Sequence, residues 1–348
     1  MHTPDLMTAI AIAAPGGPEV LTPVRVPVPQ PAPGEVLIRV AAAGINAPDL
    51  GQRRGTYAPP PDASPLPGLE VAGTIVSGAG PFRPGDEVVA LTNGGGYAEY
   101  VAVPAGQVLP LPAGWSLAAA AALPETFFTV EQTLVLRAGI APGMHVLVHG
   151  AAGGIGGAAI QLARLHGALP IAVVSSAEKG AYASRLGAVA VIEHTSEDFV
   201  ARTLALTGGH GADRVIDMVG GDYLARNIEA CARGGHIVQV AAVAGKLSEI
   251  SAGKLVMKWL TVSGSTLRPQ PPEAKAAIAD SLRRSVWPAL ADGRVVPPRI
   301  RALPLEEAAR GHAQMERRDN YGKLVLVTAF GQSLRNGGGA PDKAIENL

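Results

Sequence analysis

A run of small residues at positions 149–157, HGAAGGIGG, has the composition and placement of a phosphate-binding turn. Residues 144–148 before it are mostly apolar and partly β-branched, which predicts a strand buried on both faces. Residues 158–165 after it favour a helix. Glycines between a strand and a helix let a pyrophosphate approach backbone N–H groups at the positive end of the helix. A plain flexible loop can have the same composition, but the strand before these residues and the helix after them favour a dinucleotide site.

The end of the next apolar strand, residues 170–174, indicates which dinucleotide would bind. Folds specific for NAD usually place an acidic residue there, about 20 residues after the glycines, to hold the ribose hydroxyls. Here the strand is followed by Ser175, Ser176 and Lys179, which offer donors and positive charge suited to a 2′-phosphate. We therefore expect NADPH rather than NADH. An ordinary helix capped by Ser176 is the alternative interpretation.

Composition excludes several classes of protein. The chain of 348 residues has a formal net charge of zero and no basic block, so we expect neither a nucleic-acid nor a membrane partner but a small-molecule substrate. A single cysteine, Cys231, precludes an internal disulfide and a thiolate zinc cluster. His145 and His149 lie about 13 Å apart if that segment is a strand, too far for a shared metal. With no apolar run of membrane length and no signal pattern, a cytoplasmic protein is expected.

The predicted secondary-structure elements around the glycine turn divide the chain into two regions of different pattern. Over the first 120 residues or so, short strand-like runs alternate with turn residues and prolines, which predicts a compact, mostly β domain. From residue 144 to about 264, strands alternate with helices, which predicts an α/β domain with a doubly wound parallel sheet of the Rossmann type. The strand at residues 260–265 would be an open sheet edge unless another strand paired with it.

The remaining segments connect these two regions. An alanine-rich helix is expected to end at Pro124, and residues 127–136 to form a second helix. Beyond residue 268, two helices, a proline-rich extended run and a strand at residues 323–327 are too few for a third domain. They are expected to complete the first one. The tail after Phe330, which contains three consecutive glycines, is expected to be disordered.

Several stretches in order along the chain carry a family resemblance. It resembles the zinc-independent quinone oxidoreductases of the medium-chain dehydrogenase/reductase superfamily, especially the branch similar to the p53-inducible quinone oxidoreductase. Besides the glycine turn, the matching stretches are AGINAPDL (43–50), QRRGTY (52–57) with PPP (59–61), GLEVAG (68–73), GGYAEYV (95–101), RLGA (185–188), GSTLR (264–268) and NYGK (320–323). The resemblance implies a GroES-like catalytic domain at residues 1–128 and 269–330, a Rossmann NADPH-binding domain at 129–268, and a tail at 331–348.

The resemblance also indicates the positions at which zinc ligands would be expected, and this chain has other residues there. Zinc-dependent relatives bind the catalytic metal through a cysteine and a Gly-His-Glu histidine, where this chain has Asn46 and Leu69. A cysteine-rich lobe would precede Gly95, yet no cysteine lies there. The chemistry expected without a metal is hydride delivery from NADPH to a quinone, whose reduced oxygens water can protonate. By resemblance Asn46 and Tyr57 face this acceptor, with the Tyr57 phenol able to donate to a carbonyl oxygen.

On the cofactor side, the resemblance implies roles for eight residues. Thr129 and Asn320 would lie near the nicotinamide. The residues along the pyrophosphate would be Gly153, Gly154 and Ile155. The residues near the 2′-phosphate would be Ser176, Lys179 and His194. His194 stands where relatives often have a tyrosine, and Gly153 where the p53-inducible branch has a serine. At these two positions the roles known in the family are therefore less directly implied for this chain.

Two rival functions remain open, and so does the assembly. A 2-alkenal or enoyl (enone) reductase would use the same scaffold and NADPH, but would need a proton at the α-carbon. A non-catalytic nucleotide- or RNA-binding relative is the other alternative, disfavoured by charge neutrality and the intact turn. Relatives dimerise by joining sheet edges, so a homodimer is expected.

Overall fold

The fold was analysed in a computed structural model of the chain, which describes residues 3–245, 247–318, 320–336 and 345–347. The chain divides into two compact units. Unit 1 comprises residues 1–128, 268–291 and 297–348, and unit 2 comprises residues 129–267 and 292–296. Because the last third of the chain contributes to unit 1, that unit is assembled from segments distant in sequence.

The described residues contain sixteen strands. These are β1 (Leu6–Ile12), β2 (Leu21–Pro27), β3 (Glu35–Gly44), β4 (Glu70–Ser77), β5 (Glu87–Leu91), β6 (Tyr100–Pro104), β7 (Val108–Pro110), β8 (His145–Val148), β9 (Leu169–Val174), β10 (Ala190–Glu193), β11 (Ala212–Asp217), β12 (Cys231–Gln239), β13 (Thr261–Gly264), β14 (Ile300–Pro304), β15 (Lys323–Val327) and β16 (Ile345–Asn347).

The same residues contain twelve α-helices and one π-helix, Glu131–Arg137. The α-helices are α1 (Ala47–Arg53), α2 (Leu117–Ala120), α3 (Pro124–Val130), α4 (Gly154–Leu165), α5 (Ala177–Arg185), α6 (Phe199–Leu206), α7 (Tyr223–Ala230), α8 (Ala252–Lys258), α9 (Pro272–Ser285), α10 (Trp287–Ala291), α11 (Ala308–Arg317) and α12 (Ala329–Asn336). No helix of the described chain is both long enough and apolar enough to span a membrane.

Unit 1 is built on a mixed sheet in the order β16-β14-β15-β3-β4-β5-β7, with β6 also paired to β3. The alternating apolar residues of these strands bury one face, where Ile38, Val71 and Leu326 are fully or almost fully buried. Prolines 23 and 27 lie in β2, which pairs only with β1 in the described part of the sheet. That position tolerates prolines because a strand without a second neighbour has N–H groups to spare.

Unit 2 contains a six-stranded parallel sheet in the order β10-β9-β8-β11-β12-β13. Its central strand β8 is almost entirely buried, and α4 follows it through the glycine turn. The order reverses direction beside β8, since β9 and β10 lie on one side and β11 to β13 on the other. In such sheets ligands bind at the carboxyl ends of the strands near this reversal. The predicted α/β fold with a doubly wound parallel sheet and a mostly β domain is confirmed.

Two expectations differ from the structure. The helix expected at residues 127–136 is α3 followed by the π-helix, so its hydrogen-bonding changes at Glu131. Within the tail expected to be disordered, residues 331–336 belong to α12 and residues 345–347 form β16, which pairs with β14. At the start of α12 the Thr328 hydroxyl accepts the Gly331 N–H, and the Arg39 guanidinium lies 4.1 Å from the Phe330 ring centre. The three consecutive glycines at 337–339 lie outside the described residues.

Candidate active site

Asn46 lies where β3 gives way to α1, the position that the sequence places beside an acceptor. Its side chain is buried, with 6% exposure, and its amide donates to Glu70 Oε1 at 2.8 Å. Its Oδ1 accepts from Lys323 Nζ at 2.6 Å. Asn46 is thus part of a buried polar network rather than a turn residue that satisfies only its own backbone.

A buried ion pair lies at the centre of this network. Lys323 Nζ is 2.6 Å from Glu70 Oε1, and the two side chains are 4% and 0% exposed. The same ammonium also donates to the Ile45 carbonyl at 3.3 Å. Gly44 makes room for the pair, since a Cβ at that position would lie 2.0 Å from Glu70 Oε1. Sequence reasoning missed Glu70 and Lys323, although both lie in the family stretches GLEVAG and NYGK.

Asp49 connects the start of α1 to a second buried group. Its carboxylate accepts the backbone N–H groups of Asn46 and Gly68, at 2.9 and 3.0 Å, which fits the capping role. The Tyr97 hydroxyl donates to Asp49 at 3.2 Å and lies 3.1 Å from His312 Nε2. Burial raises the pKa of Asp49 to about 6 and lowers the pKa of His312 to about 3, so the histidine is neutral at pH 7.

Tyr57 occupies the loop after α1 and is half-buried. Its hydroxyl makes no hydrogen bond to any part of the chain that the structure describes. The Arg268 guanidinium lies 5.9 Å from the ring centre and donates to Gln52 Oε1 at 2.7 Å. Burial raises the pKa of Tyr57, and the positive charge of Arg268 opposes that rise. The phenol therefore stays protonated at neutral pH and is available as a donor.

Glu125, in the first turn of α3, is a further buried carboxyl that sequence reasoning missed. Its backbone N–H donates to Glu70 Oε2 at 2.9 Å, which ties the start of α3 to the buried ion pair. Burial, followed by the charges of Glu70 and Asp49, raises the pKa of Glu125 to about 8. Glu125 thus interacts electrostatically with Glu70, Asp49, Lys323 and Lys275, and its charge also affects the pKa of Tyr57 and of Arg268.

The glycine turn of unit 2 has the predicted strand, turn and helix. Gly153, Gly154 and Ile155 are half-buried at the N-terminus of α4, and Gly153 caps the helix without a side chain. The first N–H groups of a helix have no partner within it, so they are available to an anion. Gly156 is essential to the turn, because a Cβ there would lie 2.4 Å from the Gly150 carbonyl oxygen.

Two of the residues expected at the 2′-phosphate follow β9, with Ser176 at the N-cap of α5 and Lys179 in the first turn of that helix. Ser176 caps α5 by accepting the Lys179 N–H, so the alternative of a capping serine is what its side chain does here. Lys179 Nζ lies 3.1 Å from Ser175 Oγ, which places an ammonium and a hydroxyl together at this strand end. His194 is exposed immediately after the neighbouring strand β10. Serine, lysine and histidine thus occur at adjacent strand ends.

The two residues expected near the nicotinamide lie in different units. Thr129 is half-buried on α3 and belongs to unit 2, where its carbonyl accepts from the Thr133 hydroxyl at 2.6 Å. Asn320 belongs to unit 1, where it is half-buried in the loop before β15. Gly322 in that loop has φ +79°, and a Cβ there would lie 2.1 Å from the Arg299 carbonyl oxygen, which fixes the glycine of the NYGK stretch.

His149 begins the glycine turn and belongs to a buried chain of polar side chains. Its Nε2 lies 2.7 Å from Asn227 Oδ1, and Asn227 donates to Asp217 at 2.9 Å. Burial lowers the pKa of His149, so the imidazole is neutral. Asp217 also accepts the Val219 N–H at 2.6 Å. This chain joins the carboxyl ends of β8 and β11, so His149 supports the turn rather than binding a metal.

The part of the chain described by the structure contains no group of three or more histidine, cysteine, aspartate or glutamate side chains arranged to hold a metal ion. Cys231 is buried, and burial raises the pKa of its thiol to about 12. The thiol is therefore unreactive at neutral pH.

Family comparisons define the class to which this fold and these residues belong. Residues 32–113 match the family described as the alcohol dehydrogenase GroES-like domain, and residues 154–282 match the family described as zinc-binding dehydrogenase. Together these two domains make up the medium-chain dehydrogenase/reductase architecture. The chain is therefore an oxidoreductase of that superfamily.

Individual relatives narrow the class. The chain is 32% identical to the quinone oxidoreductase of Rattus norvegicus over 92% of this chain and 98% of that protein. Among solved structures, the Escherichia coli quinone oxidoreductase complexed with NADPH has a TM-score of 0.79 at 32% identity, with 92% of this chain and 99% of that one covered. The CurK enoyl reductase has a TM-score of 0.82 at 25% identity, covering 93% and 100%. The chain belongs to the quinone oxidoreductase family, which confirms the resemblance to that family, while its place in the branch similar to the p53-inducible enzyme stays a prediction.

Proposed function

We propose that this protein is a zinc-independent, NADPH-dependent quinone oxidoreductase. The observation that supports the proposal is the strand, glycine turn and helix of unit 2, with the Lys179 ammonium and the Ser175 hydroxyl at the end of the next strand. The quinone oxidoreductase of Rattus norvegicus is similar over 92% of this chain. Asn46 and Leu69, which stand where zinc-dependent relatives have ligands, support chemistry without a metal. We also propose a cytoplasmic location, a reducing compartment that suits the free thiol of Cys231.

The residues of unit 2 fit NADPH. Gly153, Gly154 and Ile155 lie half-buried at the start of α4, where the first N–H groups have no partner within the helix and suit a pyrophosphate. Ser175 and Lys179 lie 3.1 Å apart and suit the donors and charge that a 2′-phosphate requires. When bound, NADPH supplies a hydride. In this unit Thr129 is proposed to contact its nicotinamide and His194 the adenosine phosphate.

The residues of unit 1 fit an acceptor with a carbonyl oxygen. The Tyr57 hydroxyl has no partner in the described chain and stays protonated at neutral pH, so it can donate to that oxygen as negative charge develops. Arg268, held by Gln52 near the ring, adds positive charge at the same place. We propose that Asn46 contacts the acceptor. Its hydrogen bonds to Glu70 and Lys323 would keep that part of the site rigid.

A 2-alkenal or enone reductase is the second candidate function. The similarity to the CurK enoyl reductase favours it, because that structure covers nearly all of this chain. The same donors would stabilise the enolate oxygen of an enone. The two candidates differ in the acceptor consumed and are separated by the assay below.

We also propose that the protein forms a homodimer through the β13 edge of unit 2. Thr261 and Val262 on this strand are exposed, and Val256 and Met257 of the preceding α8 are 70% and 72% exposed. Unpaired strand groups beside exposed apolar side chains favour pairing with a second copy. Sheet edges of two copies would join there.

NADPH oxidation followed at 340 nm tests the function, with NADH as the competing cofactor. The acceptors are 1,2-naphthoquinone, 1,4-benzoquinone and trans-2-hexenal. We expect quinone reduction with NADPH preferred, and we expect Lys179→Ala to weaken NADPH binding roughly tenfold or more, as one lost charge-assisted contact would. Lys254→Ala, an exposed lysine of the same unit, is the control and should leave the preference unchanged.

Each other outcome points to a different function. Reduction of the alkenal alone would establish the enone reductase instead. NADPH binding without oxidation of any acceptor would refute both enzymes and favour a nucleotide-binding or RNA-binding protein. An unchanged preference in Lys179→Ala would refute the role of the β9 strand end in recognising the 2′-phosphate.

A further inference from the structure

We propose that the Glu125 carboxyl donates the proton that neutralises the acceptor oxygen after hydride transfer. This proposal rests on the proposed reductase function and assigns a catalytic role to a residue outside the glycine turn and the two predicted acceptor residues. It applies to a quinone and to an enone, since both develop negative charge on an oxygen.

The position of Glu125 makes its proton available. The residue is only 8% exposed, and its carboxyl makes no hydrogen bond to the chain at 3–245, 247–318, 320–336 or 345–347. Neither carboxyl oxygen of Glu125 is fully enclosed, so each keeps a small exposed area. The carboxyl therefore reaches the surface at its tip, where a bound molecule could contact it while water has little access.

The backbone around Glu125 is fixed. Its N–H donates to Glu70 Oε2, while Glu70 Oε1 accepts from Asn46 and Lys323. The start of α3 is thereby held to the end of β3 and to the start of β15. A carboxyl on such an anchored turn is pre-organised, so little reorganisation is needed when a proton is transferred.

The charges that face Glu125 come from several elements of unit 1. Burial has the largest effect, and the carboxylates of Glu70 on β4 and Asp49 on α1 also disfavour a third negative charge. Lys323 on β15 and Lys275 on α9 act in the opposite sense but do not outweigh them. With a pKa of about 8, the carboxyl is protonated through neutral pH and loses its proton above that value.

Glu125 is also near the groups proposed to hold the acceptor. Its charge affects the titration of Tyr57, Arg268 and Lys275, so the four side chains form one electrostatic cluster. The pKa of Tyr57 is raised above its ordinary value of 10, so the phenol keeps its hydrogen at neutral pH and is a poor source of a proton. Glu125 has the pKa nearer to neutral, where a general acid works best.

The proposed step is balanced in atoms and charge. A hydride from NADPH adds two electrons and one hydrogen to the acceptor and leaves an anionic oxygen. The O–H bond of Glu125 breaks as a new O–H bond forms on that oxygen, and the product is a hydroquinone or an enol. The carboxylate then takes a proton from water, which restores the acid for the next turnover.

The test replaces the carboxyl with an amide of the same shape. Glu125→Gln and the wild type are compared in single-turnover reduction of the acceptor consumed by the wild type, from pH 6 to pH 10. We expect the wild-type rate to fall as pH rises through about 8, because the acid is then ionised. We expect the variant to be about 10²-fold slower and to lack this fall. Glu306→Gln, at an exposed carboxyl of the same unit, should match the wild type.

Infrared spectroscopy of protein carrying ¹³C-labelled glutamate gives a readout besides activity. The C=O band of a protonated glutamate should be present at pH 7, disappear with a midpoint near 8 and be missing in Glu125→Gln. If the variant does not fold, the midpoint in the wild type still decides whether an acid exists there at neutral pH. A band absent at pH 7 would overturn the proposal.

The kinetic outcomes separate this proposal from the reductase function. A wild type that reduces acceptors, together with a Glu125→Gln variant that keeps both rate and pH profile, would overturn only the role of Glu125. A wild type that oxidises NADPH with no acceptor would instead refute the reductase function. Loss of rate with an unchanged alkaline fall would also contradict proton donation, since a merely positioning side chain would leave the titrating acid in place.

Discussion

The ion pair of Lys323 with Glu70 lies almost entirely out of water, and that decides how it responds to mutation. A buried pair contributes little net stability compared with apolar residues of the same shape, because both charges had to be desolvated. Removing one member has a larger effect, since the other charge remains buried without compensation. The hydrogen bonds of Asn46 to both members extend this effect to the residue proposed to lie beside the acceptor.

We therefore expect Lys323→Met to lower the free energy of unfolding by about 3–5 kcal/mol, the range for breaking a buried pair. Lys254→Met is the matched control, because Lys254 forms an exposed ion pair with Glu229 and should change stability by about 1 kcal/mol or less. Urea unfolding of both variants measures the difference. A loss in Lys323→Met no larger than in the control would show that water reaches the Glu70 carboxylate.

Residue types were easier to predict than residue partnerships. Asn46 and Tyr57 could be selected because they occur in short stretches with a family pattern, and their acceptor-facing roles remain predictions. Glu70, Glu125, Arg268 and Lys323 were missed as a group because they come from segments 50 to 250 residues apart. Glu70 lies on β4, Glu125 on α3, Lys323 on β15 and Arg268 in the segment before α9, and no short stretch of the sequence predicts how these segments pack.

At the scale of single elements, local pattern predicted most of the core correctly. β15 has the predicted bounds, residues 323–327, because a short apolar run after turn residues leaves few alternatives. The π-helix after α3 was not predictable, since a change from α to π hydrogen bonding leaves the helical pattern of apolar residues nearly unchanged. The glycine turn was predicted as an element, and its individual glycines are not equivalent.

We expect Gly156→Ala to disrupt the turn and Gly153→Ser to leave it intact. A Cβ at Gly156 would lie 2.4 Å from the Gly150 carbonyl oxygen and 2.5 Å from Ala151 Cα, both backbone atoms that cannot move aside. The nearest atom to a Cβ at Gly153 is 3.4 Å away, an ordinary contact. Gly156→Ala should weaken NADPH binding by roughly tenfold or more, the loss of about 1.4 kcal/mol.

Quenching of protein fluorescence by NADPH measures binding in both glycine variants, and thermal unfolding checks that each is folded. Similar affinities in the two variants would contradict the assignment of the turn as a tightly packed phosphate site. Weaker binding by Gly153→Ser alone would mean that the pyrophosphate lies closer to residue 153 than the turn geometry implies.

At the scale of the whole molecule, the sequence predicted the class of each region from its pattern of elements, and the fold class is confirmed. The tail was harder, because its glycines and polar residues suggest disorder while α12 is held by contacts to β3. Gly331 shows this dependence, since a Cβ there would lie 2.1 Å from the Ala41 carbonyl oxygen. Tertiary contacts of this kind are invisible to composition.

The proposed homodimer is a property of the whole molecule, and its apolar edge makes it testable. Val262 on β13 and Met257 on α8 leave water only if a second copy covers them. We expect Met257→Asp with Val262→Lys to convert the dimer to a monomer, because charged side chains would then have to be buried across the edge.

Size-exclusion chromatography with light scattering measures the mass of the wild type and the double variant. Leu206→Asp is the control, since Leu206 is 37% exposed on α6, which packs against β10 at the opposite edge of the sheet, and it should keep the dimer mass. A dimer that persists in the double variant would place the interface on another surface. A wild type with the mass of one chain would instead mean that the β13 edge stays open to solvent, its exposed apolar side chains notwithstanding.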